Sequence, residues 1–146
     1  MLKLSSRDGC AAAVMAFLLA VWAMSAGCRL GSHNIKITVE YADFQSQPHY
    51  SRNIELLLGA ELTLVLFANG TTGYGWTNPA ELGDPAILEQ TDHQYVIRPN
   101  PRPGEAGHEV FTFDTKEKGT CTIYLEYKRP SSTEVAYTFT LNVDVM

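Results

Sequence analysis

The closing stretch "EVAYTFTLNVDV" (134–145) alternates without a break. Val135, Tyr137, Phe139, Leu141, Val143 and Val145 fall on one side, and the other side is mainly polar. Successive side chains of a strand point to opposite faces, so a period of two over this length requires a strand with one buried face. The same period recurs upstream. "IKITVEY" sets Ile35, Ile37, Val39 and Tyr41 on one side, and "HQYVI" (93–97) reads as another strand. "NIELLLGAELTLVLFAN" reads as two short strands, or one bent strand, punctuated at Gly59-Ala60. "EVFTFDT" and "TCTIYLEYKR" flank "KEKG", a hairpin-type connection in which Gly119 is free to take positive φ. No segment carries a capped helical stripe; "NPAELGDPAILEQ" (78–90) holds one short turn at most. Seven to eight short strands predict an all-β antiparallel β-sandwich. Ile37, Leu64, Phe113, Ile123 and Phe139 are expected between the sheets.

The chain has 146 residues, room for one domain. Its start reads as an export signal: Lys3 and Arg7 precede the unbroken apolar run "AAAVMAFLLAVWAMSA" (11–26). That run is short for a membrane-spanning helix, which needs roughly 20 residues. The following "SAGC" resembles a bacterial lipobox, in which the cysteine becomes the acylated first residue. Ala26 and Gly27 fit that pattern, whereas Ser25 stands where an aliphatic residue is usual. The alternative is ordinary cleavage after Ser25-Ala26-Gly27. The expected organisation is a signal over 1–28 with Cys28 as the lipidation site, a linker over 29–33 and one sandwich domain over 34–146. The protein is then exported, either lipid-anchored in the cell envelope or secreted to the periplasm or beyond. Its only membrane contact would be that anchor.

Charge and cysteine content exclude several classes. The chain is acidic, with a formal net charge of −5, and has no Lys/Arg cluster, so nucleic acid is not an expected partner. Cys10 falls in the signal, Cys28 is the acylation candidate, and Cys121 is left alone, so no internal disulfide is available. Cys121 alternates with Ile123 and Leu125 and reads as a buried, inert thiol. His33, His49, His93 and His108 lack metal-ligand spacing, so no metal and no cofactor is expected. "GTTGYG" lacks the lysine and the following helix of a phosphate loop, and no nucleophile-elbow context surrounds any serine. Nothing argues for catalysis. "NGT" (69–71) matches a glycosylation sequon and also a simple turn.

Function is expected in the loops, where rigid sandwiches carry their binding residues. Three stand out. "ANGTTGYGWTNPAEL" (68–82) is rich in glycine and uncharged from Ala68 to Ala80. "RPNPRPGEAGHE" (98–109) is too rich in Pro and Gly for a strand, and "KRPSSTE" (128–134) separates the last two strands.

Together these loops resemble three motifs of the chagasin family, immunoglobulin-like inhibitors of papain-type cysteine proteases. "NGTTGYGW" is similar to the family's Asn-Pro-Thr-Thr-Gly-Tyr/Phe-x-Trp signature. "PGEAGHEVFTF" is similar to its second Gly-rich loop and following strand, and "YLEYKRPSSTEVAYTFTLNVDV" to its third loop and final strand. The resemblance spans about Ile35 to the C-terminus, with the motifs in family order. It implies an immunoglobulin-like sandwich, a monomer that inhibits reversibly and non-covalently, and a papain-like cysteine protease as partner. The protease-binding residues it implies are Asn69, Gly70, Thr71, Thr72, Gly73 and Tyr74; Gly104, Glu105, Ala106, Gly107 and His108; and Arg129, Pro130 and Ser131. Gly70 stands where the family usually has Pro, and Ser131 where an aromatic is common.

The loop residues fit that role physically. Burying charge in a cleft costs several kcal/mol unless it is paired, and this tip has none. Gly70 and Gly73 permit close approach and unusual φ. Thr71 and Thr72 would offer hydroxyls and backbone groups to the cleft. Asn69 would brace the loop through its own backbone, while Tyr74 and Trp76 would pin its base. A non-inhibitory envelope binding module on the same sandwich is the alternative; carbohydrate binding through exposed aromatics is a third reading.

Overall fold

The computed structural model describes residues 33–146. The expected signal over 1–28, Cys28 and most of the 29–33 linker therefore lie outside the described residues. Two sheets face each other. The first has the order β1 (Ile35–Val39), β3 (Glu61–Ala68), β7 (Gly107–Thr115), β6 (Leu88–Val96). The second runs β2 (His49–Leu56), β9 (Val135–Val145), β8 (Gly119–Lys128), β4 (Gly75–Trp76), with the two-residue β5 (Glu81–Leu82) also on β8. The expected all-β sandwich is what forms. Seven longer strands and two two-residue strands make it up among the described residues.

The alternation builds the core as expected. In β7, β8 and the second half of β9 every second residue is buried. Leu62, Leu64, Leu66, Phe111 and Phe113 of one sheet share a core with Ile123, Leu125, Phe139, Leu141 and Val143 of the other. Each such side chain contributes about 1.5–3 kcal/mol on burial. Cys121 is buried as anticipated. The expected hairpin across 116–119 does not form: β7 and β8 belong to different sheets and do not pair, so the connection crosses the sandwich. Gly119, at φ 141°, ends that crossing, and a Cβ there would lie 2.8 Å from Ile87 Cδ1.

Two further features depart from expectation. The sheets are mixed: β1 pairs with β3, and β2 with β9, in parallel. The bent-strand reading of residues 53–69 fails for the same reason. β2 belongs to one sheet and β3 to the other, so the chain changes sheet at the 57–60 turn. The second departure is a six-residue helix, α1 (Tyr41–Ser46), between β1 and β2. The Glu40 backbone N–H donates to Asp43 Oδ2 at 2.9 Å, which fixes its first turn. Phe44 is fully buried, 5.1 Å from the Trp76 ring and 5.3 Å from Tyr137. Tyr41 consequently leaves the β1 face and enters the helix.

Strand direction decides where the connections fall. β3 and β6 both run antiparallel to β7, and β1 runs with β3. The 116–118 connection crosses to the other sheet, where β8 runs back toward the same end. The segments that follow β1, β3, β6 and β8 therefore all emerge at one pole: α1, the 69–74 loop, the 97–106 loop and the 129–134 loop. The first described residues and the end of β9 lie at the other.

Candidate functional site: a three-loop pole

The 69–74 loop is a self-braced 3-10 turn over Gly70–Thr72. Asn69 Oδ1 accepts from the Thr71 N–H at 3.2 Å and from Thr71 Oγ1 at 2.6 Å. Thr72 Oγ1 donates to the Asn69 carbonyl at 2.7 Å. Asn69 braces the loop as expected, but both threonine hydroxyls are turned into that brace instead of outward. Gly73 ends the turn in the left-handed region, at φ 75°. Gly70 does not need a positive φ, and a Cβ there would make only an ordinary 3.5 Å contact with the Tyr95 ring, so neither expected reason for glycine holds at this position. Residues 70–73 are exposed.

The base of this loop is anchored from three directions. The Asn69 N–H donates to Tyr127 Oη at 2.9 Å, and the Gly70 N–H reaches Tyr95 Oη at 3.4 Å. Trp76 is buried and its Nε1–H donates to the Phe67 carbonyl at 2.8 Å. Its backbone N–H donates to Glu109 Oε1 at 2.9 Å, while Glu109 Oε2 lies 2.7 Å from His93 Nε2. Glu109 is 7% exposed, so this carboxylate joins β4, β6 and β7 inside the sandwich. Burial pushes the Tyr127 phenol above its ordinary value, against the opposing effect of the Asn69 hydrogen bond. The sequence motifs do not point to Tyr95, Glu109 or His93 as site residues. One signal was present: Glu109 occupies the inward phase of its strand with Phe111 and Phe113, a core position for an acid.

The second loop is organised by its own polar groups. Pro103 and Gly104 occupy the middle of a turn in which the Glu105 N–H donates to the Arg102 carbonyl at 2.9 Å; Gly104 has φ 79°. A turn with Pro at the second position and a positive-φ Gly at the third has the type II arrangement. The Glu105 carboxylate folds back onto Arg98 and accepts from the Arg102 N–H at 2.7 Å. Its side chain is only 13% exposed and braces the loop. Gly107 is buried at the start of β7, where a Cβ would lie 2.5 Å from the Val96 carbonyl oxygen. His108 is half-buried, its Nε2 3.0 Å from Glu40 Oε2 at the start of α1.

In the third loop the Ser132 N–H donates to the Arg129 carbonyl at 3.0 Å, making a turn over Pro130 and Ser131. Arg129, Pro130 and Ser131 are exposed. The Arg129 guanidinium lies 4.7 Å above the Tyr74 ring, and Tyr74 stacks on Tyr127 at 5.6 Å. Half-buried Tyr74 thus ties the first loop to the third. Pro130 instead lines a shallow groove with Asn78 and Pro79.

The structure brings the expected residues to one pole. Asn69, Thr72, Tyr74, Gly104, Ala106 and Arg129, drawn from all three loops, line a single hollow of about 620 Å³. Gly70, Thr71 and Gly73 form the adjacent exposed tip. Glu105 and Gly107 serve the loop's own architecture, and His108 ties β7 to α1. Among the described residues no group of three or more His, Cys, Asp or Glu is arranged to hold a metal. No described helix is long and apolar enough to cross a membrane.

The β-sandwich thus presents three braced loops at one pole, the first of them without charge. The chain belongs to the chagasin family: residues 55–143 match the chagasin family peptidase inhibitor I42, a span that contains all three loops. It is similar in fold to the cysteine protease inhibitor EhICP2 from Entamoeba histolytica, at 21% identity and a TM-score of 0.59, covering 80% of this chain and 100% of that one. It is also similar to PbICP-C, solved in complex with falcipain-2, at 15% identity and a TM-score of 0.57, covering 78% and 99%. No curated protein matches the chain.

Proposed function

We propose that the protein is a reversible, non-covalent inhibitor of papain-like cysteine proteases that blocks the active-site cleft with its three loops. One observation carries this reading: in a chain of a peptidase-inhibitor family, the three loops converge around one hollow at one pole. A blocking wedge must hold its shape, because ordering each flexible residue on binding costs roughly 1–2 kcal/mol. The internal bonds of Asn69, Thr71 and Thr72 meet that cost before the enzyme arrives. The neutral tip avoids desolvating a charge, and Arg129 is held over Tyr74 at the flank. One similar protein, PbICP-C, was solved in complex with falcipain-2, which supports a papain-like target.

The inhibitor acts as a monomer after export, tethered through an acylated Cys28. Strand direction suits such a tether. Ile35 pairs with Leu62 at the start of β3, the pole away from the loops. A chain entering there leaves the loops facing outward. Lipid labelling of wild type and of Cys28→Ala tests the anchor: label on the wild type alone supports it, and an unlabelled wild type cut elsewhere contradicts it. Titration of papain with the protein tests the inhibition. Competitive inhibition with the inhibitor recovered intact supports the reading. No inhibition of any papain-like enzyme at micromolar protein makes it a non-inhibitory binding module.

A further inference from the structure

The hollow at the three-loop pole has a wall that the three loops do not supply. Tyr41, on α1, lines it together with Phe67, Ala136 and Tyr137. Tyr41 and α1 lie outside residues 55–143, the span of the family match. The Tyr41 ring lies 4.7 Å from Phe67 and 6.5 Å from Tyr137, yet the residue is 43% exposed. Among the described lining residues it is the exposed aromatic one. Beside Tyr41, β9 is irregular. Tyr127 pairs with Tyr137 and Lys128 with Val135, which leaves Ala136 unpaired. Successive residues of a regular strand face opposite ways; at this bulge Ala136 and Tyr137 both reach the same hollow.

The chemistry of the walls selects the occupant. Aromatic rings from α1, β3 and β9 line it, and Arg129 is the one charged residue among the described lining. Its guanidinium already rests on Tyr74. Such a site suits an uncharged, apolar body and disfavours a cation. Aromatic rings add edge and face contacts that aliphatic groups lack. The hollow opens between the loops proposed to enter the cleft, so the enzyme surface beside the cleft is brought against it. Left unfilled in the complex, it would forfeit dispersion contacts on every wall.

We infer that this hollow receives one large apolar side chain, aromatic by preference, projecting from the protease beside its cleft, and that Tyr41 on α1 is a specificity-determining residue of the inhibitor. The inference rests on the inhibitory reading above. It makes α1 a fourth contact element at the loop pole.

The test compares inhibition constants of the full-length protein against papain and related enzymes. The variants are Tyr41→Ala, which removes one wall, Ala136→Trp, which fills the hollow from an exposed strand position, and Thr71→Arg at the loop tip. Thermal melting accompanies each. Tyr41→Ala and Ala136→Trp are expected to weaken inhibition about tenfold or more, the effect expected of a central aromatic contact, with unchanged melting. Tyr41→Phe should remain near wild type. A photoreactive phenylalanine analogue at position 41 should cross-link to an apolar residue of the enzyme. If the wild type inhibits and Thr71→Arg abolishes inhibition while both hollow variants match wild type, the hollow is not a contact and the loop reading stands. Cross-linking to a second copy of this chain would likewise overturn it. A wild type without inhibitory activity removes the loop reading and this inference together.

Discussion

The backbone N–H of Trp76 donates to the buried carboxylate of Glu109 at 2.9 Å, fixing the strand after the 69–74 loop to the opposite sheet. The other carboxylate oxygen lies 2.7 Å from His93 Nε2, so the acid that supports the loop is itself held. The loop's position is thus built into the interior of the sandwich.

Glu109→Ala should destabilise the protein by about 1–3 kcal/mol, because the Trp76 N–H loses its acceptor in a buried site. Glu109→Gln should lose less, since an amide oxygen can still accept from Trp76. Trp76→Ala should cost about 3–5 kcal/mol, as removal of a core aromatic does. Urea denaturation measures all three. A Glu109→Ala protein as stable as wild type would mean the carboxylate does not hold the loop.

Asn69→Ala should separate loop order from fold stability. It deletes the acceptor for the Thr71 N–H and hydroxyl, a capping loss of about 1 kcal/mol. Inhibition should weaken about fivefold, roughly the same energy at 1.4 kcal/mol per decade. Asn69→Asp, which keeps an acceptor, should preserve the turn but place a charge at the tip. Inhibition titrations and melting curves read the two effects. Equal inhibition by Asn69→Ala and wild type would show that the brace does not pre-order the loop.

Tyr127 and Tyr137 supply a pH dependence. Burial is the leading cause that raises both phenols above 10.0. A group raised in the folded state favours folding fully below its unfolded value, and that contribution is lost as pH rises through the folded value. Stability should therefore hold through neutral pH and fall above about pH 10. Tyr127→Phe should flatten that alkaline loss and lower neutral stability by about 1 kcal/mol, because the Asn69 N–H loses its acceptor. Denaturation midpoints between pH 7 and 11 check both signs; an alkaline loss unchanged in Tyr127→Phe would assign it elsewhere.

The strands were legible because burial imposes a period of two, and in β7, β8 and β9 the buried phase matches the apolar phase. Alternation reports a buried face, not a partner. Gly59-Ala60 marked a break, but the sheet change there, the crossing at 116–118 and the parallel β1–β3 and β2–β9 pairs depend on contacts remote in sequence. The helix was missed because six residues give no helical period. Its single anchor is Phe44, and its start is capped by Glu40 and Asp43, without a serine or threonine. The three loops were legible through their Gly, Pro and Thr residues. Their internal economy was not: Thr71, Thr72 and Glu105 read as outward groups, yet their polar atoms bond within their own loops. Hydroxyls and carboxylates near a turn backbone favour such local bonds.

The most direct measurement is steady-state inhibition of papain by wild-type protein and by Thr71→Arg, with melting temperatures recorded alongside. Thr71 is exposed at the tip of the first loop, so the fold should survive the substitution. The expected result is competitive inhibition by the wild type, its abolition in Thr71→Arg, and closely similar melting of the two. Retained inhibition by a folded Thr71→Arg would contradict the claim that this loop occupies the cleft.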